Sequence, residues 1–197
     1  MSLCIWVDCD DVLCETIDWL LKRSPLKEKW IKKSDITSYD LYEVEKIWLT
    51  KEEAIQTFYW FFESPEYYKA LPVSWAYEKL YERKQKWHTL FVVTARNRPH
   101  EQLTRKRVET HFPWIFSDFL FMNKYAEDEV PKSQLCQQMW IQVLIDDNAE
   151  NIHDMNAVGM PWFLMDKPWN QWVKDSELLH RVYSRDEIDL TRFFDNK

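Results

Sequence analysis

The sequence predicts an α/β fold with a mainly parallel sheet, and two observations carry this prediction. First, five short apolar runs recur along the chain, over residues 3–7, 89–93, 119–122, 142–145 and 160–165. Nearly continuous apolar runs of this length are typical of strands that are buried on both faces. Second, segments with apolar residues at helical spacing separate the later runs, and such alternation favours helices packed on the faces of a parallel sheet.

Four helices are expected between or beside these strands, over residues 74–86, 100–112, 133–140 and 150–158. The first has apolar side chains at helical spacing. The second follows Pro99, a residue type favoured in the first turn of a helix. Gly159 follows the last helix, at a position where the chain commonly takes a left-handed conformation.

Residues 15–71 break the alternation and predict a helical insertion after the first strand. Helices are expected over residues 16–23 and 50–63, joined by polar loops. Thr50 and Glu53 have the spacing of a capping box, which marks the start of the second helix. The insertion is crowded with aromatic residues, and packing in a small core is the default explanation for most of them.

Composition excludes several classes of function. The chain has 197 residues with a single glycine, so no glycine-rich phosphate-binding loop is present. Its 26 basic and 33 acidic residues give a net charge of −7, which disfavours long nucleic acids and anionic membranes as partners. Hydrophobic residues make up 46% of the chain, enough for a packed core rather than a disordered segment.

The amino-terminal run and the cysteines indicate a cytoplasmic protein. The first apolar run stops at Asp8, so we expect neither a signal peptide nor a transmembrane helix. The four cysteines show neither a CxxC pair nor zinc-ligand spacing with histidine. We therefore interpret them as thiols in a reducing compartment.

Polar side chains follow several of the predicted strands. Asp8 and Asp10 follow the first run, Thr94 follows the second, and Asp146 and Asp147 follow the fourth. Ligands of open parallel sheets bind at the carboxyl ends of the strands. Asp8 and Asp10 are two residues apart and point the same way if the chain stays extended. Converging carboxylates without histidine or thiol partners suit Mg²⁺, so a magnesium site is predicted at this edge.

Phosphoryl transfer through a carboxylate nucleophile suits these residue types. An aspartate can attack phosphorus to form an aspartyl-phosphate, with a metal ion offsetting the repulsion between the two anions. Thr94 and Lys132 would hold the remaining phosphate oxygens. Asp10 would protonate the leaving alkoxide and later deprotonate a water molecule. Lys124 is the rival to Lys132, although its distance along the chain from Asp146 fits less well.

Each candidate also has a structural alternative. Asp8 and Asp10 can be read as solvated residues at a strand end, and Thr94 as an ordinary strand residue. The alternative for Lys132 is an exposed lysine at a helix start. For Arg96, a role in a structural ion pair and a role in binding the substrate are equally good explanations.

Four motifs, taken together, resemble those of the haloacid dehalogenase superfamily of phosphatases. Asp8-Cys9-Asp10-Asp11-Val12 is similar to the DxDx(T/V) motif of that superfamily, and Thr94 to its second motif. Lys132 is similar to the third motif and lies 14 residues before Asp146-Asp147, which resembles the fourth. The four motifs occur in order, each in the expected strand or helix context.

A closer resemblance is to the 5′(3′)-deoxyribonucleotidase group. It rests on Leu71-Pro72-Val73 ahead of a helix and on residues 91–96, 145–152 and 164–170. The resemblance covers roughly residues 3–14 and 71–170. Residues 15–71 match only in position, length and helical, aromatic character.

This resemblance implies specific roles. Asp8 would be the nucleophile and Asp10 the general acid and base. Asp8 and Asp146 would bind magnesium through their side chains and Asp10 through its backbone carbonyl. The other implied site residues are Thr94, Ala95 and Lys132 for phosphate, with Asp147 and Arg96 in support. Asp11 departs from the pattern, since many relatives carry glycine there.

The expected protein is therefore a Rossmann-like α/β core of the haloacid dehalogenase type, over residues 1–14 and 72–197, with a small helical cap over residues 15–71. The expected activity is magnesium-dependent hydrolysis of a nucleoside monophosphate. A phosphatase of a sugar phosphate or other small metabolite, and a non-catalytic phosphate-binding protein, are the alternatives. Trp19, Trp48, Phe61 and Phe62 are candidates for stacking on a nucleobase. A homodimer is expected by resemblance only.

Overall fold

Six parallel strands form one sheet in the computed structural model, which describes residues 2–74 and 76–194. The strands are Cys4–Val7 (β1), Thr89–Thr94 (β2), Asp118–Phe121 (β3), Val143–Asp146 (β4), Trp162–Met165 (β5) and Leu179–Val182 (β6). Their order across the sheet is β3-β2-β1-β4-β5-β6, and every neighbouring pair is parallel. This is a doubly wound order, with the chain reversing its direction of travel across the sheet at β1.

Alternate side chains of the central strands serve two hydrophobic cores, one on each face of the sheet. Ile5 and Val7 of β1 pack in one core, while Trp6 packs in the other. In β5, likewise, Phe163 joins the first core and Leu164 the second. Both faces need apolar side chains, which explains why these strands occur as continuous apolar runs in the sequence. The predicted α/β fold with a parallel sheet is confirmed.

The first three helices after β1 form the insertion. They are Thr16–Arg23 (α1), Lys51–Glu63 (α2) and Pro65–Lys69 (α3), with short 3₁₀ turns at Pro25–Lys29, Lys33–Asp35 and Leu41–Glu43. Thr50 caps α2 as expected, because its Oγ1 accepts from the Glu53 N–H while the Glu53 carboxylate accepts from the Thr50 N–H. The insertion has a hydrophobic cluster of its own, which Trp169 of the core completes.

The remaining helices flank the sheet. They are Ala76–Gln85 (α4), Glu101–His111 (α5), Lys132–Gln138 (α6), Ile152–Ala157 (α7) and Thr191–Phe194 (α8). Gly159 has a φ of 66°, and its N–H donates to the Asn156 carbonyl at the end of α7, as its position in the sequence predicted. No helix within residues 2–74 and 76–194 is long and apolar enough to cross a membrane.

Sequence patterns missed three short elements. The strand β6 contains His180 and Arg181, so it shows no apolar run, and it occupies the edge of the sheet. The helices α3 and α8 have five and four residues, too few to display a helical period.

Candidate active site

Three neighbouring strands bring the predicted site residues to one edge of the sheet. Because β1 lies between β2 and β4, the chain segments at Asp8, Thr94 and Asp146 are adjacent. Val7 pairs with Ile145 across the sheet, and the Asp8 N–H donates to the Ile145 carbonyl at 2.9 Å. Asp8 and Asp146 therefore leave their strands at the same level.

Lys132 lies between these two carboxylates. It is the first residue of α6, and its Nζ atom is 3.4 Å from Oδ1 of Asp8 and donates a hydrogen bond to Oδ2 of Asp146. All three side chains are almost completely buried. Burial alone would lower the pKa of Lys132, but the charges of Asp146 and Asp8 raise it, so the ammonium stays charged.

Asp8, Asp146 and Asp147 form a buried group that we call the acidic cluster. One carboxylate oxygen from each residue lies within 4.8 Å of the others. Burial raises the pKa values of Asp8 and Asp147, and neighbouring carboxylates raise them further, whereas Lys132 opposes the shift at Asp8. Three oxygen donors without nitrogen or sulfur suit a hard divalent cation, and such an ion would stabilise the ionised carboxylates.

Asp147 is held by the segment after β5. The Nε1–H of Trp169 donates to Oδ2 of Asp147 at 2.8 Å, and Nδ2 of Asn170 donates to the Asp147 carbonyl at 2.9 Å. Nδ2 of Asn170 also donates to the Met165 carbonyl, which ties this segment to the end of β5. Partners of this kind orient metal ligands and tune their affinity.

Asp10 takes a different direction from Asp8. The Asp10 N–H donates to Oδ2 of Asp8 at 3.0 Å, a local turn that ends the extended chain. Both oxygens of Asp10 then accept from Arg96, at 2.9 Å from Nε and 2.6 Å from Nη2, and Oδ1 also accepts from the Thr16 hydroxyl. Burial alone would raise the pKa of Asp10, but the charge and hydrogen bonds of Arg96 lower it. Arg96 is thus buried in an ion pair.

Asp11 lies in the loop after β1, where the sequence departs from the motif that it resembles. Its φ is 56°, a left-handed conformation that aspartate tolerates better than most residues. Its Oδ2 accepts from the Ile17 N–H at 3.0 Å in the first turn of α1, and Lys33 Nζ lies 3.5 Å from its Oδ1. Burial raises the pKa of Asp11 to about 6. The side chain therefore connects the loop after β1 with the insertion.

Thr94 and Ala95 complete the edge beside Asp8. Thr94 is fully buried, and its Oγ1 accepts from the Arg96 N–H at 3.3 Å, which leaves its own proton free to donate. Ala95 lines the cavity described below. Lys124, the rival to Lys132, pairs with a residue of the insertion and not with Asp8: its Nζ is 3.2 Å from Asp40 and 4.7 Å from the Tyr39 ring.

A cavity lies between the core and the helical insertion, beside these residues. The core contributes polar groups that include Asp10, Asp147 and Arg96. The insertion contributes aliphatic side chains and five aromatic ones, namely Tyr39, Tyr42, Phe58, Tyr59 and Phe62. A largely apolar wall with a few convergent polar groups is the usual composition of a small-molecule site.

Comparison with known families agrees with this geometry. Residues 2–191 match the model of the family described as 5′ nucleotidase, deoxy (pyrimidine), cytosolic type C protein. The chain belongs to this family. It is a phosphoric monoester hydrolase of the haloacid dehalogenase superfamily, near the nucleotidase group. Family membership favours an enzyme over the alternative of a non-catalytic phosphate-binding protein.

Solved structures share the fold of this nucleotidase-family chain. A haloacid dehalogenase-like hydrolase from Streptococcus pneumoniae has a TM-score of 0.62 and 16% identity, covering 84% of this chain and 85% of its own. A predicted phosphatase from Clostridium acetobutylicum has a TM-score of 0.61 and 13% identity, covering 84% and 85%. A predicted phosphoglycolate phosphatase from Haemophilus somnus has a TM-score of 0.54 and 17% identity, covering 87% and 88%. No curated protein matches the chain.

One of the four aromatic residues named for base stacking in this nucleotidase-family chain reaches the cavity. Phe62 lines it, with its ring centroid 4.2 Å from the Arg96 guanidinium. Trp19 and Phe61 pack in the hydrophobic cluster of the insertion, and Trp48 is exposed. None of these three is among the described residues that line the cavity.

Several lining residues escaped the sequence analysis. Phe58 and Tyr59 lie one turn before Phe62 on α2, so the helical period of that face could have indicated them. Tyr39 and Tyr42 lie close to Asp40 in a connection that has no helical or strand period to mark it as part of a site. Two tyrosines flanking an aspartate in an otherwise polar loop were the available signal.

Proposed function

We propose that this phosphatase hydrolyses nucleoside monophosphates, deoxyribonucleotides among them, in a magnesium-dependent reaction through an aspartyl-phosphate on Asp8. The observation that carries the proposal is the position of Asp8 in the acidic cluster. Lys132 is 3.4 Å from its Oδ1, and Asp10 and Asp147 line the adjacent cavity. The site thus combines a nucleophile, a fixed positive charge and a metal-binding carboxylate set.

In the first step, a carboxylate oxygen of Asp8 attacks phosphorus, and the bond from phosphorus to the ester oxygen breaks. Lys132 and the Thr94 hydroxyl stabilise negative charge on the phosphoryl oxygens. Asp10, which must carry a proton in the ester complex even though Arg96 lowers its pKa in the free protein, gives that proton to the departing alkoxide, which leaves as an alcohol. A bound Mg²⁺ would be held by Asp8 and Asp146 and, by the family resemblance, by the Asp10 carbonyl, with Asp147 in support; it would offset the repulsion between the two anions.

In the second step, Asp10 removes a proton from a water molecule that attacks phosphorus. The bond between phosphorus and Asp8 breaks, which restores the Asp8 carboxylate and releases inorganic phosphate. The Asp10 carboxyl group ends the cycle in the protonation state in which it began. The two steps together consume one water molecule per ester.

A nucleoside suits the rest of the cavity. The insertion presents several aromatic rings, and flat bases stack on such rings. The family description names a deoxy, pyrimidine 5′-nucleotidase. A sugar phosphate is the second candidate, because Asp40, Asn97 and Lys124 also line the cavity and could bind hydroxyl groups.

A panel of phosphate esters, with and without Mg²⁺, tests the substrate proposal. The panel contains deoxyribonucleoside and ribonucleoside monophosphates, sugar phosphates and an activated aryl phosphate. We expect nucleoside monophosphates to give the highest kcat/KM, and chelation to abolish turnover. Uniformly low kcat/KM values for all nucleotides, together with a high value for one sugar phosphate, would overturn the nucleotide assignment.

We also propose that the enzyme is a cytoplasmic homodimer. The described cysteines are free thiols, in keeping with a reducing compartment. The dimer rests on resemblance to related nucleotidases, which are often dimers. Analytical ultracentrifugation tests it, and sedimentation as a monomer at micromolar concentration would contradict it.

A further inference from the structure

Arg96 holds the Asp10 carboxylate in one fixed orientation. The guanidinium bonds both carboxylate oxygens through Nε and Nη2, and the Thr16 hydroxyl bonds Oδ1 from the side of the insertion. The Asp10 side chain is about a quarter exposed (23%), whereas that of Arg96 is buried (2%). A two-point contact of this kind fixes the plane of a carboxylate, which a single ammonium contact cannot do.

The surroundings of Arg96 keep the guanidinium itself in place. Its remaining nitrogen, Nη1, donates to the Thr104 hydroxyl at 2.9 Å and to the Tyr67 hydroxyl. The ring centroids of Phe62 and Tyr67 lie 4.2 Å and 5.0 Å from its central carbon. Residues from the insertion and from α5 therefore converge on one buried cation whose free side faces Asp10.

We propose that Arg96 is a positioning residue that orients the Asp10 carboxyl for proton transfer to the leaving oxygen. This inference rests on the proposed function, in which Asp10 is the general acid. Among the described residues, the hydrogen-bond partners of the Arg96 side chain are Asp10, Tyr67 and Thr104, and Asp8 is not one of them. The contribution of Arg96 to kcat/KM should be large for substrates whose leaving oxygen needs a proton and small for substrates whose leaving oxygen does not.

Substitution of Arg96 with two classes of substrate tests this role. Arg96→Lys keeps the charge but loses the two-point contact. We expect kcat/KM to fall about tenfold or more for a nucleoside monophosphate, whose alkoxide needs a proton, and much less for 4-nitrophenyl phosphate. Asp10→Asn should show the same dependence on the leaving group. The value of kcat/KM reports steps up to departure of the alcohol, so the later hydrolysis step does not obscure the comparison.

Thr110→Val is the matched control, since Thr110 lies on the same helix α5 as Thr104 but its exposed hydroxyl donates to the Lys106 carbonyl and not to Arg96. It should preserve the ratio of the two kcat/KM values. Thr16→Val removes the other contact to Asp10 and tests orientation even if Arg96→Lys fails to fold. Equal losses on both substrates in Arg96→Lys and Thr16→Val would overturn the inference while leaving the proposed function intact. If instead the proposed function is wrong, Asp8→Asn should keep full activity.

A second and independent observation concerns the tryptophans. The sequence has twelve tryptophans and one glycine. Among the described residues, five of the eight non-glycine positions with positive φ are tryptophan, namely Trp30, Trp48, Trp87, Trp114 and Trp140, with φ between 52° and 65°. These five side chains are 83–92% exposed. A bulky residue rarely adopts a left-handed conformation, and tryptophan is rarely so exposed.

Two of these tryptophans occupy the same motif as the one glycine. At the end of α7, Gly159 donates to the carbonyl three residues earlier, and the next residue donates to the carbonyl five residues earlier. Trp87 after α4 and Trp140 after α6 repeat both hydrogen bonds. This is the Schellman motif, whose left-handed position is glycine in most proteins. Each of the three helices leads into a strand of the sheet.

We infer that residues 30, 48, 87, 114 and 140 are glycine in the protein as its own cell makes it. Each would be specified by a codon that this cell reads as glycine and that another genetic code reads as tryptophan. The inference explains the glycine deficit, the tryptophan excess and the five backbone conformations together. Trp169 is a genuine tryptophan on this account, because its Nε1–H bonds Asp147.

Peptide masses from the protein isolated from its native cell test the inference directly. We expect the mass of glycine at the five positions and that of tryptophan at position 169. In the gene, the five positions should share one codon, different from the codon for Trp169. Tryptophan masses at the five positions would overturn the inference, as would one codon shared by all twelve residues.

Thermal unfolding tests whether these left-handed positions favour glycine over tryptophan. In the chain with tryptophan at all five positions, Trp87→Gly and Trp140→Gly should each raise the melting temperature by about 2–4 °C. Gly159→Trp should lower it by a similar amount, and Trp169→Gly, the control at a buried tryptophan, should lower it as well. If Trp87→Gly and Trp140→Gly lower the melting temperature, these are not glycine positions.

Discussion

Lys132 and Asp146 form a buried ion pair at the carboxyl edge of the sheet, and the same Lys132 ammonium lies 3.4 Å from Oδ1 of Asp8. One cation thus lies between two carboxylates that would otherwise repel each other. The arrangement offsets part of the negative charge around the proposed nucleophile before substrate or metal arrives.

Lys132→Met should destabilise the metal-free protein. The substitution leaves Asp8 and Asp146 buried without their cation, at a cost of about 3–5 kcal/mol in the free energy of unfolding. Mg²⁺ should restore part of the loss. Urea unfolding in EDTA and in Mg²⁺ measures both effects. Lys124→Met, which removes a lysine that faces Asp40, is the control. Equal unfolding free energies for the parent and Lys132→Met in EDTA would contradict the account.

Trp169→Phe should weaken magnesium binding. The substitution keeps most of the buried ring but removes the Nε1–H that bonds Oδ2 of Asp147. Loss of such an outer partner costs about 10–100-fold in metal affinity. Isothermal titration with Mg²⁺ measures the change. Trp172→Phe is the control, because Trp172 is 60% exposed. Unchanged affinity in Trp169→Phe would show that Asp147 needs no such support.

Asp40→Asn should raise KM for the monophosphate substrate. Asp40 lies in the insertion, and its carboxylate accepts from the Tyr42 and Tyr125 hydroxyls and pairs with Lys124 at 3.2 Å. These contacts join the insertion to the core at the cavity. Loss of one charged hydrogen bond, about 1.4 kcal/mol, corresponds to about tenfold in KM. Steady-state kinetics measures the change, with the exposed Glu127→Gln as control. An unchanged KM in Asp40→Asn would show that this link does not shape the site.

His88 should make stability depend on pH. The Leu3 N–H donates to its Nδ1 at 3.0 Å, and burial, together with the charge of Arg83, lowers the pKa of His88. The folded state therefore binds the proton less tightly than the unfolded state. The stabilisation is complete above the unfolded pKa of about 6.5 and is lost as pH falls towards the folded pKa.

His88→Asn should remove this pH dependence, because asparagine does not titrate. Its side-chain oxygen can still accept from the Leu3 N–H, so the fold is little disturbed. Urea unfolding at pH 8 and at pH 5.5 measures the difference in free energy of unfolding for parent and variant. The same difference in both proteins would mean that His88 is not the source.

The core of the fold was predictable because each central strand serves two apolar faces. The runs that contain Ile5, Leu90 and Leu144 mark strands without reference to any distant residue. The edge strand β6 was not predictable in this way, since an edge position tolerates His180 and Arg181. Local signals such as the capping box at Thr50 predicted boundaries well, because they depend only on residues one turn apart.

The candidate site was predictable for those residues whose position is fixed by the end of a strand. Asp8 and Asp146 come together because register and strand order put them there. The direction of Asp10 was not predictable, because it depends on a local turn and on Arg96, 86 residues away in the sequence. The aromatic lining of the cavity depends on how the insertion packs against the core, which no periodicity in the sequence encodes.

Trapping the covalent intermediate is the sharpest test of nucleophilic attack by Asp8. The parent enzyme, the Asp8→Asn variant and the Asp11→Asn variant are mixed with substrate and Mg²⁺ and quenched in acid, and their peptides are analysed by mass spectrometry. We expect phosphate on the peptide that contains Asp8 in the parent and in Asp11→Asn, and neither phosphate nor turnover in a folded Asp8→Asn variant. Turnover by Asp8→Asn at the parental rate would contradict this expectation.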